Sequence, residues 1–165
     1  MLIRPVKTDD ADRISQIAID ISNNNGDLNM VKVDFSNAEK LIKELTPLDH
    51  MLVIETKYPP HQIYAAVLVS VNRQIYLRRS ATLELIVAVK WQRQGMGKTL
   101  MTNALEMAYK ELMMERVEVE VAIDNDEGLK LCKSAGFKVE GVARDWVMSS
   151  NGKYKDAYLM GKCKK

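Results

Sequence analysis

The ten residues WQRQGMGKTL, Trp91 to Leu100, gather the groups in this chain best suited to hold an anion: Gly95 and Gly97, with Gln92, Arg93 and Lys98 beside them. Their Gly-Lys-Thr ending is that of a P-loop, G-x-x-x-x-G-K-S/T, which requires a first glycine five positions before the second. That position holds Gln92, and glutamine does not take the positive-φ turns that glycine supplies at little cost. A Mg²⁺-nucleotide P-loop is excluded. What remains is a pair of glycines where the apolar pattern changes from strand to helix. A helix N-terminus offers unpaired N–H groups and the positive end of the helix dipole, and glycine lets a phosphate approach the backbone closely. The chemistry implied is a pyrophosphate held without a metal. The alternative is a pair of turn glycines beside a solvated arginine and lysine. His50 and His61 lie far from any Cys or His pair with ligand spacing, so no metal site is expected.

The elements that must position this loop alternate along the chain. LIRPV reads as a short strand, and Thr8 or Asp9 starts a helix with Ile14, Ile17, Ala18 and Ile21 on one face. NNNGDLN breaks it at Asn23 to Asn29. Ser36 followed by Glu39 is a capping-box pattern for a second helix carrying Ala38, Leu41, Ile42 and Leu45, closed by Pro47. MLVIET and IYAAVLVSV read as strands joined across KYPPH, and ATLELIVAV runs as a third apolar strand straight into the loop. After Gly97 come Leu100, Met101, Ala104, Leu105, Ala108 and Leu112 at helical spacing. RVEVEVAI then alternates, with Val117, Val119, Val121 and Ile123 on one face and Glu118 and Glu120 on the other. A short helix from about Asp126 to Ala135 ends at Gly136, and two strand-like segments, Phe137 to Met148 and Tyr154 to Gly161, flank the hairpin signal SSNGK. One α/β domain with a mixed sheet, spanning residues 1–165, is the expected organisation.

The bulk numbers fit that expectation. At 165 residues one core buries roughly 70% of the unfolded surface. Apolar content of 47% and charged content of 28% are those of an ordinary globular protein. A formal charge of +2, with no long run of like charges, gives no electrostatic argument for nucleic acid or membrane binding. MLIRPVKTDD lacks the apolar core of a signal peptide, and no apolar run approaches the ~18 residues of a membrane span. A cytoplasmic protein is therefore expected, with Cys132 and Cys163 as reduced thiols.

ELIVAVKWQRQGMGKTLM resembles the first motif of the GCN5-related N-acetyltransferases (GNAT), a strand, then Q/R-x-x-G-x-G/A, then a helix; Gln92, Gly95 and Gly97 fill the signature positions. NDEGLKLCKSAGFKVEG resembles the second, N-x-x-A-x-x-L-Y-x-x-x-G-F, through Asn125, Leu131, Gly136 and Phe137. NGKYKDAYLMGK is similar to the closing hairpin of bacterial small-amine and amino-acid acetyltransferases. The resemblance implies an α/β (α+β) GNAT fold: a central, mixed, mostly antiparallel twisted sheet, flanked by helices on both faces and splayed between strands 4 and 5. It implies acetyl-CoA as co-substrate, with the pyrophosphate gripped by backbone N–H groups of Arg93, Gln94, Gly95, Met96, Gly97 and Lys98. Pantetheine would lie along Ile86, Val87 and Val89, and Gln92 and Asn125 join the cofactor contacts by motif position. A homodimer is an expectation of the resemblance alone.

Acetyl transfer to an amine needs a base to free the lone pair, a donor for the developing oxyanion, and a proton or tolerance for the departing thiolate. By resemblance Glu84 is the base, acting directly or through water; the alternatives are a carboxylate that binds an ammonium and a structural one. A backbone N–H near Val87 is the expected oxyanion donor. Cys132 occupies the position of the tyrosine that protonates the sulfur in many relatives. It is a replacement acid, a small buried hydrophobe, or a redox-sensitive cofactor contact. Tyr154 and Tyr158 are substitute acids or packing aromatics. The resemblance places the acceptor between Asn23–Phe35 and Trp146–Tyr158, where Asp27, Asp34, Asp145 and Asp156 suit a free amino acid or small primary amine. Protein N-terminal or lysine acetylation, and a non-catalytic acyl-CoA-binding module, are the alternatives.

Overall fold

The computed structural model describes residues 1–24, 33–74, 76–77, 79–149 and 152–164. The period changes along the sequence resolve into β1 (Leu2–Pro5), α1 (Ala11–Asn23), α2 (Ala38–Glu44), β2 (Asp49–Glu55), β3 (Ile63–Val71) and β4 (Ser80–Val87). They continue as α3 (Met96–Glu106), β5 (Arg116–Ala122), α4 (Asp126–Ser134), β6 (Lys138–Met148) and β7 (Tyr154–Cys163). The strands form one open sheet in the order β1-β2-β3-β4-β5-β7-β6. Every neighbouring pair is antiparallel except β4 and β5. The mixed, mostly antiparallel sheet expected from the sequence is present.

Alternation along the strands divides the apolar side chains between two layers. On one face Ala65, Val67, Val69, Ala81, Leu83 and Leu85 pack with Leu100, Met101, Ala104 and Ala108, and Val117, Val119 and Val121 join them. On the other, Met51, Val53, Ala66, Leu68 and Ile86 pack with Ile14, Ile17 and Ala18 of α1 and with Phe35 and Ala38. Full burial of a side chain such as Leu100 or Ile14 contributes roughly 1.5–3 kcal/mol, so both helical layers fix the central strands firmly. Helices therefore lie on both faces, and β4 is clamped between them.

Local capping differs from the sequence expectation at one helix. The Ser36–Glu39 box does not form. Asn37 caps α2 by accepting from the Lys40 N–H at 3.3 Å, and Asp34 accepts from the Ser36 N–H at 3.0 Å to shape the turn before it. Two adjacent side-chain caps replace one reciprocal pair. The acceptor-loop residues 25–32, Asp27 among them, and the hairpin residues 150–151 lie outside the described residues.

Candidate active site

β4 and β5 pair only at Ser80–Thr82 with Arg116–Glu118, after which they separate. The hydrogen-bond phase of the neighbouring ladders tells which backbone groups this opening exposes. The Ala88 N–H donates to the Tyr64 carbonyl at 2.8 Å, so even-numbered β4 residues bond to β3. Leu85 and Val87 therefore turn their N–H and C=O groups toward β5, where no ladder continues. On the far side the Ile123 N–H donates to the Asp156 carbonyl at 3.1 Å, so odd-numbered β5 residues bond to β7 and Glu120 and Ala122 face the opening. The backbone of Ile86, expected to contact the cofactor, is engaged with β3; Leu85 faces the opening instead. Val89 leaves the strand altogether and starts a 3₁₀ turn through Trp91.

That turn delivers the chain to the glycine loop. The Trp91 ring packs 4.3 Å from Tyr64, centroid to centroid, seating the turn on β3. The Gln92 side-chain amide donates to the Val87 carbonyl at 3.1 Å, so Gln92 braces the loop against the strand end. Arg93 is left-handed at φ 61° and Gly95 at φ 85°. The two glycines have different jobs. A Cβ on Gly95 would meet nothing within 4 Å, so the space above it is open and the backbone conformation calls for glycine. A Cβ on Gly97 would stand 3.2 Å from Leu131 Cδ2 and 3.6 Å from Val87 Cγ2, so Gly97 serves the close packing of α3 on α4 and β4.

The end of α3 that follows has no side-chain cap, and the first bond of the helix runs from the Thr99 N–H to the Gly95 carbonyl at 2.9 Å. The N–H groups of Met96, Gly97 and Lys98 are thus left over by the geometry of a helix start. The contrast with α4 is direct: Asn125 caps it, accepting from the Gly128 N–H at 2.8 Å. Asn125, expected among the cofactor contacts, has its side-chain oxygen committed to this cap. Arg93 Nε bonds Glu127 Oε1 at 2.6 Å, and Lys98 and Gln94 are exposed beside the loop. An uncapped, positive helix end beside an open glycine turn, continuous with unpaired strand edges, fits a pyrophosphate joined to an extended amide chain. These are the two halves of coenzyme A.

Glu84 points to the opposite face, with Thr82 and Ile86 and toward the α1 layer, and is 6% exposed. The parallel register sets Glu118 beside Thr82 on that same face and carries Glu120 to the far rim of the opening. Glu118 bonds Arg116, and Glu120 accepts from the Trp146 indole N–H. Of these carboxylates the sequence alone points to Glu84; the alternation of RVEVEVAI is the signal for Glu120, needing only the parallel register to place it. Asp156 accepts from the Asp145 N–H at 2.9 Å and ties the closing hairpin.

Cys132 is fully buried in the α3 layer, and burial pushes its thiol up to about 12. Protonating an ordinary thiolate of pKa ~8.5 from such a group is uphill by roughly 5 kcal/mol. Of the expected alternatives the packing role matches this setting, and the acid role does not. Tyr154, 60% exposed, opens β7 opposite Met148, and strand alternation puts it with Tyr158 on the face away from Glu118 and Glu120. It is not brought together with Glu84. Tyr158 packs against the α3 layer.

Residues 39–137 match the acetyltransferase (GNAT) family, a span that includes both motifs. Over 89 residues the chain is 34% identical to the L-amino acid N-acetyltransferase AaaT of Escherichia coli, covering 53% of this chain and 54% of that protein. Over 86 residues it is 30% identical to a spermidine N(1)-acetyltransferase of Vibrio cholerae, covering 52% and 49%. The chain spans about half the length of the curated relatives it matches. Among solved structures, ribosomal-protein-alanine N-acetyltransferase from Brucella melitensis superposes with TM-score 0.82 at 22% identity over 99% of this chain and 100% of that one. A GNAT-family acetyltransferase from Streptococcus pneumoniae gives 0.80 at 21% identity, covering 99% of each. With the sequence match running through the glycine loop and the fold agreeing from end to end, this protein belongs to the acetyltransferase (GNAT) family.

Proposed function

We propose that this chain is an N-acetyltransferase that moves an acetyl group from acetyl-CoA to a primary amine by direct attack in a ternary complex. The observation that carries this reading is the opening between β4 and β5, with the uncapped α3 end on one side and Glu84 on the other. Acetyl-CoA supplies an acetyl thioester. The N–H groups from Arg93 to Lys98 hold its pyrophosphate, Leu85 pairs with its pantetheine amides, and Lys98 adds charge. The Val87 N–H, directed into the opening, is the donor that polarises the carbonyl. Glu84 takes the proton of the amine, which enters from the α1 face. Glu120 shares that face and favours a cationic acceptor held before deprotonation, whereas the Glu118 charge is paired with Arg116.

A small amine, a free amino acid among them, is the favoured acceptor, and the relatives support it: one is named for L-amino acids, the other for spermidine. Cys132 is assigned packing. The leaving thiolate departs without help from that side chain, and a thiol leaving group tolerates this because its charge is only modestly unfavourable near neutral pH. The test is amine-dependent release of CoA thiol across a panel of amino acids, monoamines and polyamines. Release with at least one amine, falling by about 10²–10⁴ in Glu84→Gln, is the expected result. Turnover with no amine, from protein that binds acetyl-CoA, contradicts the enzyme reading. Full activity in Glu84→Gln removes Glu84 as the base.

A further inference from the structure

Arg93 combines three features that ordinary loop arginines lack together. Its backbone is left-handed at φ 61°, a conformation costing a non-glycine residue on the order of 1 kcal/mol or more. It stands at the head of the N–H groups that face the proposed pyrophosphate. Its side chain is engaged elsewhere, by Glu127 Oε1 at 2.6 Å in the first turn of α4. Glu127 is not accounted for by the needs of its own helix. Helix-dipole stabilisation of α4 does not require it, because Asp126 and the Asn125 cap already serve that end.

We infer that Glu127 is a placeholder: it holds the Arg93 guanidinium beside the loop until a phosphate of the cofactor displaces it, and so sets cofactor affinity through Arg93. This rests on the acetyl-CoA reading of the loop. The pair is open to water, with Arg93 82% and Glu127 50% exposed, so the carboxylate competes weakly and the pyrophosphate, with two negative charges over its two phosphates, wins the guanidinium. Glu127 is a positioning residue, acting on the ligand only through Arg93. Below the pair, α3 packs closely on α4, with Leu131 Cδ2 only 3.2 Å from where a Cβ on Gly97 would stand.

The consequence is a specific thermodynamic cycle, read by calorimetric titration of wild type, Glu127→Gln, Arg93→Gln and the double variant with CoA and with pantetheine. Glu127→Gln is expected to tighten CoA by about two- to fivefold, the range set by one exposed ion pair. Arg93→Gln is expected to weaken it by about fivefold. In the double variant the gain from Glu127→Gln disappears, and pantetheine, which has no phosphate, is indifferent to all three changes. Thermal denaturation of each variant verifies the fold. Unchanged or weaker CoA binding in Glu127→Gln overturns the placeholder role, as does a gain that survives without Arg93. Failure of wild type to bind CoA at all overturns the loop assignment itself, and this inference with it.

Discussion

Gly95 and Gly97 sit two residues apart in one motif, yet the surroundings of each give it a different physical task. Gly95 has a positive φ and open space above it, whereas Gly97 has ordinary helical geometry and Leu131 Cδ2 within 3.2 Å of where its Cβ would stand. Gly95→Ala is therefore expected to weaken acetyl-CoA binding by tenfold or so as well as straining the turn by about 1–2 kcal/mol. Gly97→Ala is expected to act through stability, costing about 1–2 kcal/mol while Leu131 and Val87 shift to make room. Parallel titration and thermal melts of the two variants separate these effects; identical profiles would contradict the division. Cys132 poses the complementary question. As a buried packing residue, Cys132→Ala should lower stability by roughly 1–2 kcal/mol and leave kcat within about threefold. A fall in kcat by ten or more at unchanged KM, in folded protein, would restore Cys132 as the acid.

At the scale of elements, α1 is tied to the edge of the sheet by an ion network. Arg4 on β1 bonds both oxygens of Asp10 at 2.7 and 2.8 Å and Glu55 Oε2 on β2 at 2.6 Å. Burial opposes the Asp10 carboxylate, but hydrogen bonds from Arg4 and the Lys7 N–H outweigh it and set its pKa below the usual carboxylate range. The Arg4 hydrogen bond does the same for Glu55 against a smaller burial effect. Both groups bind protons less readily folded than unfolded, so their contribution is complete above the unfolded carboxylate pKa near ~4 and is lost as pH falls through the folded values. The denaturant midpoint should accordingly drop on acidification below about pH 4. Arg4→Leu should cost about 3 kcal/mol at neutral pH and flatten or invert that dependence, because two buried carboxylates without their guanidinium are relieved by protonation. An unchanged acid slope in the variant would exclude this network as its origin.

The elements themselves were largely legible in the sequence, since periodic apolar spacing records which face of each segment is buried. Val117, Val119 and Val121 on one side of β5, and the Gly136 stop after α4, needed no tertiary information. Contacts between distant segments were not legible. The Arg93–Glu127 pair, the commitment of Gln92 to the Val87 carbonyl, and the replacement of Ile86 by Leu85 at the opening depend on register and on how α4 sits against α3. The α2 cap moved by one residue because Asp34 takes the Ser36 N–H that Glu39 would have taken, and Asn37 accepts from the Lys40 N–H.

At the scale of the whole molecule, the opening between β4 and β5 and the α3 end are proposed to form one cleft for acetyl-CoA. An open sheet whose middle strands part would ordinarily leave unpaired backbone groups, each unfavourable if buried without a partner. Here both helical layers hold β4 rigidly while Leu85 and the Val87 N–H face the gap and the Val87 carbonyl is held by Gln92, so this edge is fixed in position and available to a ligand. The most direct measurement is calorimetric titration of the purified protein with acetyl-CoA, beside acetyl-pantetheine, which keeps the strand-pairing amides and lacks the pyrophosphate and nucleotide. One acetyl-CoA per chain is expected, with acetyl-pantetheine at least about tenfold weaker for want of the charge-assisted contacts at the α3 end. Equal affinity for the two would contradict the role of Gly95 and the α3 end, and no binding of acetyl-CoA at millimolar concentration to folded protein would contradict the cleft itself.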